Sequence, residues 1–263
     1  MSDWHSSFNY EKLLEKRNVL LCGYEGILSR GITPILKGHG ANVFSLFLEQ
    51  REDADHLNGF RNSLNQVRKD IDCLIYLGPP PRYEMIPDVS LRSMQNLMEM
   101  GCLGLHLAVQ HVLPNMQKKR SGTIVIVSSD YALTAVAGTA PYAASAAAMN
   151  AYIRAAAIEW AKYGIRANGV LAGFNTADQG EAFSHAFNKE VADGAFERYQ
   201  PLERAGTVTD IANAVLFLSC GMSNFITGEM LPVDGGTMII GHSQVWHPKG
   251  KPPFVFPRKE DHR

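Results

Sequence analysis

The chain has 263 residues, of which 46% are hydrophobic and 19% are charged, and its formal net charge is −1. This composition is typical of one globular domain with a sizeable core, and it excludes a collagen-like or disordered chain. The near-zero net charge gives no electrostatic reason to expect nucleic acid or an anionic membrane as a partner.

No apolar run reaches the roughly 18 residues that a membrane-spanning helix requires. The first residues also lack the charged and apolar regions of a secretory signal. The cysteines are widely spaced in apolar or helical contexts, which is typical of buried thiols in a reducing compartment. They are Cys22, Cys73, Cys102 and Cys220. We therefore expect a cytoplasmic protein with no membrane segment, no disulfide framework and no metal site.

The first part of the chain alternates between the patterns of strands and helices. Residues 18–22 and 42–48 are short apolar runs that predict parallel strands, and residues 28–37 between them predict a helix. Residues 72–77 predict a third strand. Residues 1–17 form a polar leader, which we expect to pack as a short helix on the surface of the domain.

The middle of the chain has the clearest pattern. Residues 90–116 carry apolar side chains at helical spacing, and residues 122–129 are a β-branched apolar run that ends in two hydroxyls. Residues 141–162 are rich in alanine, with a proline at the start, and predict a long helix. Residues 164–173 predict another strand. Strand, helix and strand in this order predict a parallel βαβ unit.

The end of the chain completes the predicted domain. Residues 209–220 predict a helix and residues 229–233 predict the last strand. We therefore predict a single α/β domain over residues 1–240, with a doubly wound, mainly parallel sheet and helices on both faces. The tail, residues 241–263, is too polar for a core, and we expect it to lie at an oligomer interface.

The central stretch resembles the short-chain dehydrogenase/reductase family, which has a Rossmann-like fold. In that family a serine ends the strand, a tyrosine follows thirteen positions later, and a lysine lies four positions past the tyrosine. Ser129 and Tyr142 keep this spacing, but Ala146 stands at the position of the lysine. The resemblance implies that the serine holds the substrate oxygen and that the tyrosine transfers a proton. It also implies that the lysine lowers the pKa of the tyrosine and binds the ribose of the cofactor.

The glycine turn that binds the cofactor's pyrophosphate in the family is also changed. The family writes it Gly-x-x-x-Gly-x-Gly, and this chain has Gly23, Ile27 and Ser29 at those positions, with Gly26 one position away. Glycines in such a turn let backbone N–H groups approach phosphate at a helix N-terminus. The side chain of Ile27 would crowd this approach, and the Glu25 carboxylate would repel phosphate.

Other departures concern the same cofactor. Phe47 stands where the family has an acidic residue for the adenine ribose, and Pro79–Pro81 replace a small-residue turn beneath the other ribose. Gly101 replaces an asparagine that holds a water for proton relay. The segment between residues 48 and 72 is too short for a strand that the family usually has there. We therefore expect this chain to bind no nicotinamide cofactor.

The losses fall on hydride transfer, while the elements that assemble tetramers in the family are kept. This favours a degenerate subunit that forms a mixed tetramer with an active, NAD-dependent dehydrogenase subunit of the same family, acting on an alcohol of the hydroxyacyl-CoA type. The pattern is similar to that of the inactive subunit of the enzyme that oxidises hydroxybenzylsuccinyl-CoA in anaerobic toluene breakdown.

Three alternatives remain open at this point. In the first, the assembly is a homotetramer of this chain instead of a mixed one. In the second, the chain is itself an NAD(P)-dependent oxidoreductase with an atypical cofactor site. In the third, the chain is a redox-free, lyase-like or dehalogenase-like enzyme that uses Ser129 and Tyr142, although halohydrin dehalogenases of this fold carry an arginine where this chain has Ala146.

Overall fold

The computed structural model of the chain describes residues 11–48, 56–134, 136–175 and 200–239. Its centre is a six-stranded sheet in the order β2-β1-β3-β4-β5-β6. The strands are all parallel. They are β1 (Asn18–Gly23), β2 (Asn42–Phe47), β3 (Cys73–Leu77), β4 (Gly122–Ser129), β5 (Ile165–Ala172) and β6 (Met230–Val233).

Helices cover both faces of this sheet, as predicted. They are α1 (Ile27–Gly38), α2 (His56–Gln66), α3 (Leu91–Met98), α4 (Gly104–Lys119), α5 (Ala140–Trp160) and α6 (Val208–Ser219). Side chains of α2, α4 and α5 form the core on one face, and side chains of α1 and α6 form the core on the other. The prediction of a doubly wound α/β domain is therefore confirmed.

The order of the strands reverses between β1 and β3, which are neighbours in the sheet. From β1 the chain moves outward to β2, and from β3 it moves outward in the other direction to β6. In open parallel sheets, ligands bind in the crevice beyond the carboxyl ends of the strands at such a reversal. The topology therefore places any ligand site of this domain beside the ends of β1, β3 and β4.

The prediction of a short helix in the polar leader is wrong for its described part, residues 11–17. Residues 11–17 form turns, and Lys16 has a left-handed φ of 60°. Leu14 is fully buried, and its N–H donates to His39 O at 2.9 Å. These backbone groups bond to the turn between α1 and β2 instead of to a helix of their own. Residues 1–10 lie outside the described residues.

The predicted helix over residues 90–116 is interrupted by a π turn, Glu99–Leu103, between α3 and α4. A π turn leaves carbonyl groups without their usual helical donors, and side chains bond to two carbonyls here. Tyr76 Oη donates to Met100 O at 2.5 Å, and Ser145 Oγ donates to Leu97 O at 2.7 Å. The apolar spacing of the sequence continues through the turn, so the pattern alone predicted one continuous helix.

Within the described part of the chain, every helix is too short or too polar to span a lipid bilayer.

We expect Tyr76→Phe to lower the free energy of unfolding by about 1–3 kcal/mol, because the carbonyl of Met100 would stay buried without this donor. Tyr76 itself is fully buried. The matched control is Tyr152→Phe, since the hydroxyl of Tyr152 meets His106 Nδ1 at an exposed position. Urea unfolding of the two variants measures the difference. Equal losses would contradict a structural role for the Tyr76 hydroxyl.

Candidate functional site

A cavity lies in the crevice that the topology selects. Ser129, Tyr142 and Ala146 all line it, so the structure brings the three predicted positions together. Pro79–Pro81 lie on its wall, and Met149 lines it as well. The serine comes from the end of β4, whereas the tyrosine and the alanine lie one turn apart near the start of α5.

The cavity is small, with a volume of about 40 Å³. This is room for a few water molecules, because one water requires roughly 10–15 Å³ measured in this way. Sites for organic ligands hold roughly 300–1,000 Å³. The side chain of Met149 fills part of the crevice. A Cβ added at Gly78 would lie only 3.2 Å from the Sδ atom of Met149. Among the described residues, the crevice is therefore packed with protein side chains.

The turn after β1 is tight, and the N–H of Gly26 at its end is already hydrogen-bonded within the chain. Gly23 has a φ of +107°, and a Cβ there would lie 2.1 Å from Leu77 O, so only glycine is accommodated. Gly26 precedes α1, and its N–H donates to the buried Ser29 Oγ at 3.1 Å, while Ser29 Oγ donates to Gly26 O at 2.8 Å. Ile27 follows with 42% of its surface exposed. Ser29 thus caps the start of its own helix. It accepts from the N–H of Gly26, which would have to bind phosphate if Gly26 took the place of the missing family glycine.

The adenine side of the crevice is also reduced. Phe47 is partly buried against the core of α1 and α6, and Leu48 donates its N–H to Gly23 O at 2.8 Å. The described chain passes from β2 through α2 to β3 without a further strand, as the short spacing predicted. Glu49 and Arg51 lie outside the described residues. The end of β2 therefore offers no carboxylate for a ribose hydroxyl within the described chain.

Ser129 is fully buried and its hydroxyl is engaged locally. Its Oγ atom accepts from Tyr131 N and donates to Asp130 Oδ1, both at 3.1 Å. Tyr142 is 5% exposed, and its ring meets the ring of Tyr131 edge-on, with centroids 6.0 Å apart. Tyr131 Oη in turn lies 3.3 Å from Tyr83 Oη. Ser129 therefore caps the short turn that follows β4.

The position of the family's lysine is held by Ala146, which is buried among neighbouring residues. Ala146 is 4% exposed, and its carbonyl accepts from Ser128 Oγ at 3.3 Å. No lysine or arginine is among the described residues that line the cavity. Arg154 lies two turns further along α5 and is exposed. A tyrosine, with an ordinary pKa near 10, is a poor proton donor and acceptor at neutral pH unless a cation stabilises its anion.

The position of the relay asparagine cannot carry a side chain in this packing. A Cβ added at Gly101 would lie 2.0 Å from Ser145 Oγ, the hydroxyl that bonds to Leu97 O. The side chain of Ser145 therefore occupies the space beside the π turn. As for metals, no group of three His, Cys, Asp or Glu side chains in the described ranges is placed to hold an ion.

Asp130, which accepts from Ser129 Oγ behind the cavity wall, is a residue that sequence reasoning missed. It is 3% exposed, and burial raises the pKa of its carboxyl to about 6, with the negative charge of Asp234 adding to the shift and the Ser129 hydroxyl opposing it. An acidic residue directly after a buried strand was the available signal. Its carboxyl therefore keeps its proton to a higher pH than an exposed aspartate does, and the described residues that line the cavity include no cation.

Comparisons with known proteins agree with this fold. Residues 19–238 match the sequence model of a family described as Enoyl-(Acyl carrier protein) reductase. The 3-oxoacyl-acyl-carrier-protein reductase FabG of Chlamydia pneumoniae is 30% identical over 189 residues, which are 71% of this chain and 74% of that protein. An uncharacterized oxidoreductase of Bacillus subtilis, YmfI, is 27% identical over 199 residues, 76% of this chain and 78% of that protein.

Solved structures show the same relationship. An oxidoreductase of the short-chain dehydrogenase/reductase family from Burkholderia thailandensis superposes with a TM-score of 0.74 at 26% identity, covering 85% of this chain and 93% of that one. A structure described as a dehalogenation enzyme gives a TM-score of 0.71 at 25% identity, covering 86% and 99%. The chain therefore belongs to the short-chain dehydrogenase/reductase family. It departs from the pattern of this oxidoreductase family at two positions, with Ala146 in place of the lysine and Gly101 in place of the asparagine.

The raised pKa of Asp130 predicts a pH-dependent stability. The unfolded carboxyl ionises near pH 3.8 and the folded one near pH 6, so the folded chain binds more protons between these values and loses stability as the pH rises. We expect Asp130→Asn to be more stable than the native chain above pH 6, by up to about 3 kcal/mol, and the difference to shrink towards pH 4.

Urea unfolding between pH 4 and pH 8 measures this difference. The exposed Asp88→Asn variant controls for the loss of one carboxylate. A difference between Asp130→Asn and the native chain that stays constant over the whole range would show that the Asp130 carboxyl is not strained by burial.

Proposed function

We propose that this chain is a degenerate subunit of a short-chain dehydrogenase/reductase assembly, which keeps the fold but does not transfer hydride. An active homologous subunit would bind NAD and oxidise the alcohol, and the two chains together would form a mixed tetramer. The observation that carries this proposal is the cavity of about 40 Å³, lined by Ala146 where the family's lysine would be.

The residues present do not fit a dinucleotide. Ser29 Oγ accepts a hydrogen bond from the N–H of Gly26 at the start of α1, where a phosphate would bind. Met149 and Pro79–Pro81 line the crevice that a nicotinamide ribose would enter. Placing a dinucleotide there would require several side chains to leave a packed site, and filled cores resist such insertions. The cofactor is therefore assigned to the partner subunit.

Exposed apolar side chains support an assembly. Ile158 on α5 is 82% exposed, and Phe225, which lies between α6 and β6, is fully exposed. Large exposed apolar groups mark interfaces when they lie together with other apolar surface. The half-buried Trp160 adds such surface at the end of α5. Residues 241–263 lie outside the described residues, and we propose that this tail reaches across a neighbouring subunit.

The relatives support a substrate class for the assembly. FabG proteins are named as reductases of 3-oxoacyl groups carried on a protein thioester, and several match this chain. A hydroxyl or keto group on a carrier-bound acyl chain is therefore the substrate class that we propose for the active subunit. That the carrier is coenzyme A follows only from the resemblance described in the sequence analysis.

One observation favours a second candidate function. Ser129 and Tyr142 line the same cavity, and the structure described as a dehalogenation enzyme shares this fold at 25% identity. This supports a redox-free enzyme that uses the two hydroxyls to bind an oxygen or a leaving group. The bond from Ser129 Oγ to Asp130 argues against it, because that hydroxyl proton is already donated.

We expect the purified chain to bind neither NADH nor NADPH, measured by calorimetry up to millimolar cofactor. Co-expression with an active family member from the same organism should give a mixed tetramer with dehydrogenase activity. Tyr142→Phe in this chain should leave that activity nearly unchanged, because the hydroxyl has no catalytic task here. The same change at the matching tyrosine of the partner should lower turnover by at least about a hundredfold.

Two results would contradict the proposal. Micromolar binding of either cofactor would make this chain an oxidoreductase with an atypical site. A hundredfold loss of turnover in the Tyr142→Phe variant of this chain would make it a catalyst in its own right.

A further inference from the structure

The strand β2 lies at the edge of the sheet. Among the described residues, β1 is its only neighbour, and no other strand pairs with its outer side. The N–H of Asn42 donates inward to Arg17 O, and the N–H of Leu48 donates inward to Gly23 O, both at 2.8 Å. Because backbone groups point to alternate sides along a strand, the N–H and C=O groups of Val43, Ser45 and Phe47 point outward.

The residues of β2 themselves do not provide the usual protection of an edge strand. Natural edge strands are commonly guarded by lysine, proline or a bulge, which keep other strands from pairing with them. Asn42–Phe47 contains neither a charged residue nor a proline and runs in continuous register with β1. Its apolar side chains are only partly buried: Val43 and Phe47 pack towards one core, and Phe44 and Leu46 towards the other.

We propose that two copies of this chain pair through β2, antiparallel, about a two-fold axis at Ser45. In this register Ser45 faces Ser45 of the second copy, and Val43 faces Phe47 of the second copy. These are the residues whose backbone groups point outward, so each opposite pair exchanges both of its hydrogen bonds, about six in total. The two sheets then become one continuous sheet.

The sequence of β2 is complementary to itself in this register. Val43 pairs with Phe47 on one face of the joined sheet, and Phe44 pairs with Leu46 on the other. Aromatic side chains opposite aliphatic ones stabilise neighbouring strands, and no like charges meet because the strand carries none. A two-fold interface requires such a self-complementary surface. This is why we choose a second copy of the chain over a foreign peptide.

A groove beside the strand fits the same arrangement. It is a shallow depression that is largely open to solvent, and Phe44 and Val67 are among the residues that line it. Leu46 of the second copy would lie opposite Phe44 and enter this groove. At its rim the Arg68 guanidinium lies 5.1 Å from the centre of the Phe44 ring and pairs with Asp70. Each copy thus brings one positive and one negative side chain to the rim, so the charges can complement each other.

The contact is independent of the mixed tetramer proposed above. β2 and β6 are the two outer strands of the sheet, so the β2 edge lies at the opposite end from the surface near β6. The contact also needs neither a cofactor nor an active partner subunit.

The experiment places charges on the two-fold axis. Ser45 is exposed, so Ser45→Lys and Ser45→Asp leave the core unchanged. In either variant alone, like charges meet across the axis, and we expect a particle of half the mass of the native one in sedimentation velocity. An equimolar mixture of the two variants should regain the native mass, because opposite charges then meet.

Hydrogen exchange gives a matched control within the strand. The outward amides of Val43, Ser45 and Phe47 should be protected in the native assembly and exchange rapidly in Ser45→Lys. The inward amides of Phe44 and Leu46 should stay protected in both. Charge variants that keep both the native mass and the outward protection would overturn the proposal, since something other than a second copy would cover the edge. Rapid exchange of the outward amides in the native chain at every concentration would overturn it too.

Discussion

Strand β4 is buried along all eight of its residues, and both halves of the sheet are built on it. It pairs with β3 on one side and with β5 on the other. A strand in this position has its backbone bonds satisfied on both edges and its side chains packed on both faces, so it tolerates little change. Its last residues, Ser128 and Ser129, are held by the same constraint. This explains why the end of β4 resembles the family although Ala146 and Gly101 stand nearby at the positions of the family's lysine and asparagine.

Positions that serve chemistry in the family have become packing positions in this chain. Ser29 caps the helix start at Gly26, where the family has a phosphate-binding glycine. Ser145 fills the space beside Gly101, and Ser128 bonds to the carbonyl of Ala146. Each replacement satisfies a buried polar group or fills a void, and both effects stabilise the folded chain.

The strands and most helices could be predicted because their signals are local. A β-branched run such as β4, or the alanine-rich α5, indicates its own conformation without knowledge of its neighbours. The features that were missed depend on contacts distant in sequence. The π turn at Glu99–Leu103 is stabilised by Tyr76, and the turns of the leader depend on a bond from Leu14 to His39. The buried state of Asp130 likewise follows from the tertiary fold.

The shortened segment after β2 connects the two proposals. Among the described residues it contains no strand that could form a wall beside an adenine, and β2 lies at the edge of the described sheet. A bound cofactor stabilises a folded protein by RT ln(1 + [L]/Kd), which is roughly 3 kcal/mol at a hundredfold excess over Kd. A chain that binds no cofactor lacks this contribution and must replace it with other contacts. Contacts between subunits contribute in the same way, because they too form only in the folded state. The missing wall beside the adenine position and the open edge of β2 among the described residues are therefore both related to the short segment between β2 and β3.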